Sequence, residues 1–167
     1  SGCPDATAEN PTVARGWQCA LTVPRELSMR DGKLCQQPAH EIERMRGGCV
    51  RAVGGETVEE PGRLFDLVVS CEGAKMVELE IRKGVFVRYA DGMLTLDMGD
   101  EGYGRDQRSI ELGELRDLRA LSDTTMVEIF ANGGEAALTS RTYSPAVPAM
   151  ELHAEGAASM NFYRLVH

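Results

Sequence analysis

Short runs of apolar and β-branched residues, separated by glycine-containing turns, fill the sequence beyond Gly48. The turns, such as Lys83-Gly84 and Asp91-Gly92, recur about every eight to twelve residues, a spacing typical of antiparallel β-sandwiches. The pattern therefore predicts an all-β fold in which two antiparallel sheets pack face to face.

One hairpin is marked most clearly, because two runs rich in Val, Ile, Phe and Thr flank Asn132-Gly133-Gly134, which tolerates the positive φ of a tight turn. All candidate strands share this apolar or alternating composition. They are residues 49–53, 64–71, 76–82, 85–89, 93–98, 115–121, 126–130, 136–142, 150–154 and 159–165. A chain of 167 residues, 43% of them hydrophobic, can bury one core. We expect one sandwich of the concanavalin or jelly-roll kind, with an N-terminal appendage.

The appendage combines strands with one short helix. A strand is predicted over residues 17–23, followed by a hairpin that turns through Asp31-Gly32 and ends at Pro38. Residues 39–46, AHEIERMR, break the alternation and predict a short linker helix, which Gly47-Gly48 terminates.

Charge and hydropathy exclude two classes of partner. The formal net charge of -8 argues against binding to nucleic acid, which needs a basic face. No apolar run approaches the roughly 20 residues of a membrane helix, so no membrane partner is expected.

The cysteines predict reduced thiols. There are five, an odd number, and none forms the Cys-x-x-Cys spacing of a zinc or redox site. They are Cys3, Cys19, Cys35, Cys49 and Cys71. We expect them to be small buried hydrophobic residues in a cytoplasmic protein.

No catalytic, metal or cofactor motif is present. His40-Glu41 begins like the zinc-protease pattern His-Glu-x-x-His, but Arg44 stands at the last position. Gly102 and Gly104 lack the third glycine and the following helix of a phosphate loop. Catalytic, cofactor and metal residues are therefore all predicted to be none.

Two stretches resemble glycoside hydrolase family 32, the invertases, sucrose-6-phosphate hydrolases and fructanases. The first is residues 122–143, SDTTMVEIFANGGEAALTSRTY, which looks like the family's C-terminal sandwich. The second comprises Gly16-Trp17-Gln18, residues 21–27 and residues 31–34, which are similar to the segment where the family's catalytic propeller ends. Together they imply an all-β domain of a β-fructosidase.

The resemblance also implies that the catalytic residues lie elsewhere. The family's Asn-Asp-Pro-Asn-Gly, Arg-Asp-Pro and Glu-Cys motifs do not occur, and the nearest strings are Arg105-Asp106 and the reversed Cys71-Glu72. Residues 1–38 would be strands of the last propeller blade, 39–47 a linker helix and 48–167 the sandwich. The chain would be a non-catalytic part of an enzyme that hydrolyses β-fructofuranosyl bonds in sucrose, sucrose 6-phosphate or fructans.

Three residues are candidates for contact with the propeller: Trp17, Arg25 and Glu26. If the propeller is the partner, the apolar side chains of residues 16–38 would pack against it, and without it they could join two copies of the chain. A carbohydrate-binding module is the other alternative, although only 5% of the residues are aromatic and sugar stacking needs exposed rings.

Overall fold

Six antiparallel strands form the larger sheet of the computed structural model, which describes residues 10–166. These strands are β3 (Arg46–Val53), β5 (Phe65–Ser70), β10 (Asp117–Ser122), β11 (Met126–Ala131), β12 (Ala136–Arg141) and β15 (Ser159–Leu165). Their spatial order is β12-β11-β10-β5-β15-β3.

Five antiparallel strands form the second sheet: β6 (Met76–Arg82), β7 (Val85–Ala90), β8 (Met93–Asp97), β9 (Gln107–Glu111) and β14 (His153–Glu155). Their spatial order is β14-β6-β7-β8-β9. Two small pairs complete the strands: β1 (Arg25–Arg30) with β2 (Lys33–Pro38), and β4 (Thr57–Glu59) with β13 (Ala149–Glu151). Short 3-10 helices span Val13–Arg15, His40–Met45 and Gly99–Gly102.

The core lies between the two sheets because alternate side chains of each strand point inward. In β5 the inward residues are Phe65, Leu67 and Val69, all fully buried. Phe162 of the neighbouring strand packs its ring against Phe65, with 5.4 Å between ring centroids. The predicted two-sheet antiparallel sandwich is therefore confirmed, as are the hairpin through Asp31-Gly32 and the short helix that follows it.

Three sequence predictions were wrong or incomplete. Residues 17–23 form no strand, because no other strand of the described chain lies beside them to complete a ladder. Residues 150–154 are two strands rather than one, since the chain passes at Leu152 from β13, which pairs with β4, to β14, which pairs with β6. Strands β4 and β9 were missed because one is three residues long and the other is a mostly polar edge strand.

A buried arginine connects the two sheets at one end of the core. Arg82, at the end of β6, is fully buried, and its Nε donates to Ser122 Oγ at 3.0 Å. Its Nη2 donates to the backbone carbonyls of Asp123 and Thr124. Burial, with the charge of Arg63 as a second cause, lowers the pKa of Arg82 to about 10. The guanidinium thus satisfies polar groups that the turn before β11 leaves inside the protein.

Replacing this arginine should weaken the fold. Arg82→Ala would leave the Ser122 hydroxyl and two carbonyls without their charged donor, at a cost of about 3 kcal/mol in unfolding free energy. Urea unfolding measures the difference. The matched control is Arg88→Ala on the outer surface of the second sheet, where ion pairs with Glu78 and Asp97 are part-exposed and contribute less than about 1 kcal/mol. Equal losses in both variants would contradict this role of Arg82.

Candidate functional site

Two carboxylates lie buried on the outer face of the six-stranded sheet, the face that points away from the core. Asp66 in β5 and Glu128 in β11 are 0% and 3% exposed. Both belong to one cross-strand row, because each is paired with Leu121 of β10 in the sheet register. A buried charge is costly unless it is paired and hydrogen-bonded. The partners of these carboxylates therefore show what the outer face is built to hold.

Asp66 binds two arginines. Arg119 Nε and Nη2 donate to Asp66 Oδ1 and Oδ2 at 2.9 and 2.7 Å, which makes a bidentate pair. Arg46, directly after the second 3-10 helix, donates from Nε to Asp66 Oδ2 at 2.7 Å. Arg46 also places its guanidinium over the ring of Tyr163, 4.4 Å from the centroid. Asp66 thus fixes the point where the second 3-10 helix joins the six-stranded sheet.

Glu128 binds the start of the first hairpin, which β1 and β2 form, and the residues just before it. The Val23 amide donates to Glu128 Oε1 at 2.8 Å, and Arg25 Nη2 donates to Glu128 Oε2 at 2.6 Å. Arg25 also donates to Thr139 Oγ1 at 2.7 Å and lies 5.1 Å from the centroid of Phe130. Arg25 is therefore turned toward the sandwich.

The first hairpin also contacts the turn between β11 and β12. The Gln36 amide donates to the Gly134 carbonyl at 2.9 Å, and Gln37 Nε2 donates to the Gly133 carbonyl at 2.6 Å. Gly134 has a φ of 89°, and a Cβ at this position would collide with the Gln36 backbone. Only glycine allows both the turn and this close approach. The Asn132-Gly133-Gly134 motif thus serves as a docking point as well as a turn.

The other two predicted contact residues lie apart from these carboxylates. Trp17 is 41% exposed, with the guanidinium of Arg141 5.3 Å from its ring. Glu26 is exposed and accepts a hydrogen bond from His40, which lowers the pKa of Glu26 and raises that of His40. The structure therefore does not bring Trp17, Arg25 and Glu26 into one site.

One group of residues has the composition of a metal site. The ligand atoms of Glu26, His40 and Glu41 lie within 4.8 Å of one another, and all three residues are exposed. Glu26 contacts Nδ1 of the His40 ring at 2.7 Å, whereas Glu41 approaches Nε2 at 3.4 Å. Because these nitrogens lie on different edges of the imidazole, the arrangement suits two ion pairs better than one metal ion.

The first hairpin exposes an apolar surface. The pairing register places Met29 opposite Leu34 and Leu27 opposite Gln36, so these side chains share one face. Leu27 and Met29 are each 66% exposed, and Leu34 is 54% exposed. Leu21, just before the hairpin, is 96% exposed. An apolar cluster of this kind marks a contact surface.

The four described cysteines are free, as predicted, and Cys3 lies outside the described residues. Cys35 and Cys71 are buried, but Cys19 and Cys49 are exposed, so the prediction of burial was wrong for these two. Cys19 lies in the segment that forms no strand, and Cys49 lies in the edge strand β3.

The geometry defines an antiparallel β-sandwich domain that holds an N-terminal segment on one outer face. Comparison with known proteins agrees with this description. Residues 85–165 match the family model described as Glycosyl hydrolases family 32 C terminal. A raffinose invertase of Escherichia coli is 37% identical over 154 residues, which cover 81% of this chain and 32% of that protein. A sucrose-6-phosphate hydrolase of Salmonella typhimurium is 32% identical over 145 residues, which cover 81% of this chain and 28% of that protein.

Solved structures show the same fold. A sucrose-6-phosphate hydrolase from Lactobacillus gasseri superposes with a TM-score of 0.83 at 18% identity, over 98% of this chain and 37% of that one. An exo-inulinase from Aspergillus awamori superposes with a TM-score of 0.70 at 19% identity, over 90% of this chain and 36% of that one.

The chain belongs to glycoside hydrolase family 32, of which it carries the C-terminal domain. It spans about a third of the length of the curated relatives it matches. Within residues 10–166 there is no helix long and apolar enough to cross a membrane.

Sequence reasoning missed the roles of Asp66 and Glu128. The available signal was a single acid inside an otherwise apolar strand, in FDLVV and in MVEIF. Such an acid requires a basic partner, and the partners lie far away in sequence. Only Arg25 was singled out beforehand, for contact with another domain.

The ion pair between Arg25 and Glu128 should hold the N-terminal segment on the sheet. Arg25→Ala leaves Glu128 uncompensated, so the segment should lift away and the unfolding free energy should fall by about 2–3 kcal/mol. Limited proteolysis within residues 17–38 should accelerate in parallel. In a double-mutant cycle, Glu128→Gln should recover part of the loss in the Arg25→Ala background. Strictly additive effects would contradict the pairing.

The thiols should react in two groups. Exposed Cys19 and Cys49 should react with a thiol reagent in the folded protein. Cys71 should not, because burial, aided by the charge of Asp117, raises its pKa to about 12. All five thiols should titrate after unfolding without reductant. Rapid native labelling of Cys71, followed by mass spectrometry, would contradict the buried thiol.

Proposed function

We propose that the chain is the non-catalytic C-terminal sandwich of a β-fructosidase and that it supports a catalytic propeller. The observation that carries the proposal is the exposed apolar face of the first hairpin, formed by Leu27, Met29 and Leu34 on a segment that is itself held firmly on the sandwich. Such a face fits a hydrophobic interface with another folded domain. The curated relatives, in which this region is about a third of the length, support the same arrangement.

The enzyme's proposed reaction is retaining hydrolysis of a β-fructofuranosyl bond in sucrose, its 6-phosphate or a fructan. The relatives' names, raffinose invertase and sucrose-6-phosphate hydrolase, support this substrate class. Retaining hydrolysis requires one free carboxylate as nucleophile and one protonated carboxyl as acid. Asp66 and Glu128 suit neither role, because arginines neutralise both and their oxygens already accept hydrogen bonds. Their role is structural.

The domain division follows from this proposal. Residues 1–38 would continue the last propeller blade, 39–47 would be the linker and 48–167 the sandwich, although β3 already begins at Arg46. The exposed free thiols of Cys19 and Cys49 support a reducing, cytoplasmic location.

The first test is activity. The chain alone should release no fructose from sucrose or sucrose 6-phosphate above background, because it supplies no pair of catalytic carboxylates. A chimera in which this chain replaces the matched C-terminal region of the Escherichia coli raffinose invertase should hydrolyse its sugar. Stoichiometric fructose release by the isolated chain would refute the non-catalytic role.

The hairpin surface can be tested in the same chimera. Met29→Asp places a charge in the proposed interface and should lower the yield of folded, active enzyme several-fold. Met93→Asp is the matched control, because Met93 is 41% exposed but lies in β8 of the other sheet. Equal activity of the two variants would refute the hairpin as the propeller contact.

A second candidate role is association of two copies through residues 16–38, which the same apolar face favours. Sedimentation of the chain at increasing concentration would reveal it, and Met29→Asp should return the protein to a monomer while Met93→Asp should not. A wild-type chain that stays monomeric would exclude this role and leave the propeller as the partner.

A further inference from the structure

A second feature of the outer face is a polar cavity of about 290 Å³ between the N-terminal segment and the six-stranded sheet. Strand β2 and the second 3-10 helix form its rim, and strands β5, β10, β11 and β15 form its floor. The polar side chains that line it are Gln37, Glu43, Arg46, Asp117, Arg119 and Asn161. The rings of Phe130 and Tyr163 also border it.

The cavity has no net positive charge despite its arginines. Arg46 and Arg119 both donate to Asp66 at 2.7–2.9 Å, and Glu43 lies close to both guanidiniums. Two cations therefore face the carboxylates of Asp66 and Glu43, and Asp117, which accepts from the Gly133 amide at 2.8 Å, adds a third carboxylate. A free phosphate or carboxylate would have to displace one of these pairs, whereas a neutral polar molecule would not.

The carboxylate of Glu43 makes only long contacts with the two arginines. Its carboxylate lies 3.4 Å from Arg119 Nη1 and 3.6 Å from Arg46 Nη1, whereas the contacts to Asp66 are 2.7–2.9 Å. The Glu43 side chain is 50% exposed. A hydroxyl group beside it could accept from a guanidinium N–H and donate to the carboxylate at ordinary hydrogen-bond lengths.

Asn161 offers a complementary group on the floor. It pairs with Val68 in the register and lies two positions from Tyr163 along β15, on the same face of the strand. Its side-chain amide has no hydrogen-bond partner within the described part of the chain and provides both donors and an acceptor. Gln37 at the rim uses Nε2 to hold Gly133, which leaves its Oε1 available as an acceptor.

The aromatic rings give the cavity apolar edges. Tyr163 is half-buried and is held by the guanidinium of Arg46, whereas Phe130 is 2% exposed and lies near that of Arg25, so Tyr163 supplies most of the accessible ring surface. Alternating donors and acceptors beside apolar ring surface match a sugar, whose hydroxyls donate and accept and whose C–H groups are apolar.

We propose that this cavity binds one neutral sugar unit, with hydroxyls between Glu43 and Arg119 and at the Asn161 amide. Its volume of about 290 Å³ lies just below the roughly 300–1,000 Å³ of small-molecule sites, which suits one ring rather than a chain. The site lies on the sandwich and takes no part in bond cleavage, so it stands independently of the proposed catalytic parent.

Titration of the full chain with D-fructose, D-glucose and sucrose, followed by amide NMR shifts, tests this site. At least one sugar should give saturable shifts at residues lining the cavity, with a Kd of about millimolar. Asn161→Ala and Glu43→Ala should each weaken binding at least about fivefold, the loss expected for one good hydrogen bond. Glu41→Ala is the matched control, because Glu41 lies on the same helix and contacts His40.

Each other outcome overturns the proposal. Without saturable shifts up to about 100 mM of all three sugars, the cavity is not a sugar site. Unchanged affinity in both cavity variants, with unfolding midpoints like that of wild type, would place binding elsewhere. Tighter binding of inorganic phosphate than of any neutral sugar would show that the arginines act as an anion site.

Discussion

The structure depends on two carboxylates buried on an outer face of a sheet, where water would ordinarily solvate them. Asp66 and Glu128 are tolerable there only because arginines cover them. Two of those arginines, Arg25 and Arg46, come from the N-terminal segment or its junction with the first strand of the sheet. Because an unpaired buried charge is strongly destabilising, the acids specify the position of that segment. The apolar core between the sheets makes the sandwich, whereas the ionic outer face determines what the sandwich carries.

The fold could be predicted where a strand-like sequence pattern also has a neighbouring strand to pair with in the structure. Strand β6 was predicted to the residue, because its alternation matches a half-buried strand and glycine turns bound it. Residues 17–23 have a similar composition but lie beside no other strand of residues 10–166, so composition alone could not distinguish them. At Leu152 the apolar sequence pattern continues, but the strand changes its partner from β4 to β6. The local sequence contains no signal of this change.

The candidate site was less predictable than the fold, and the reason is electrostatic. Arg25 and Glu128 are separated by 103 positions in the sequence, and Arg119 and Asp66 by 53. A lone acid in an apolar strand indicates that a cation must be nearby, but it does not identify which of the 18 basic residues supplies it. Gly134 is similar: the sequence indicates its turn, but only the packing of Gln36 against it shows why a side chain is excluded.

Arg46 follows the last residue of the second 3-10 helix directly and is joined through Asp66 to the middle of the six-stranded sheet. No unpaired residue therefore separates the second 3-10 helix from the six-stranded sheet. The guanidinium–carboxylate pairs of Arg25 with Glu128 and of Arg46 with Asp66 connect both ends of residues 25–46 directly to the sheet. Bending between the first hairpin and the sandwich would therefore first have to break the pairs of Arg25 and Arg46 with the buried carboxylates.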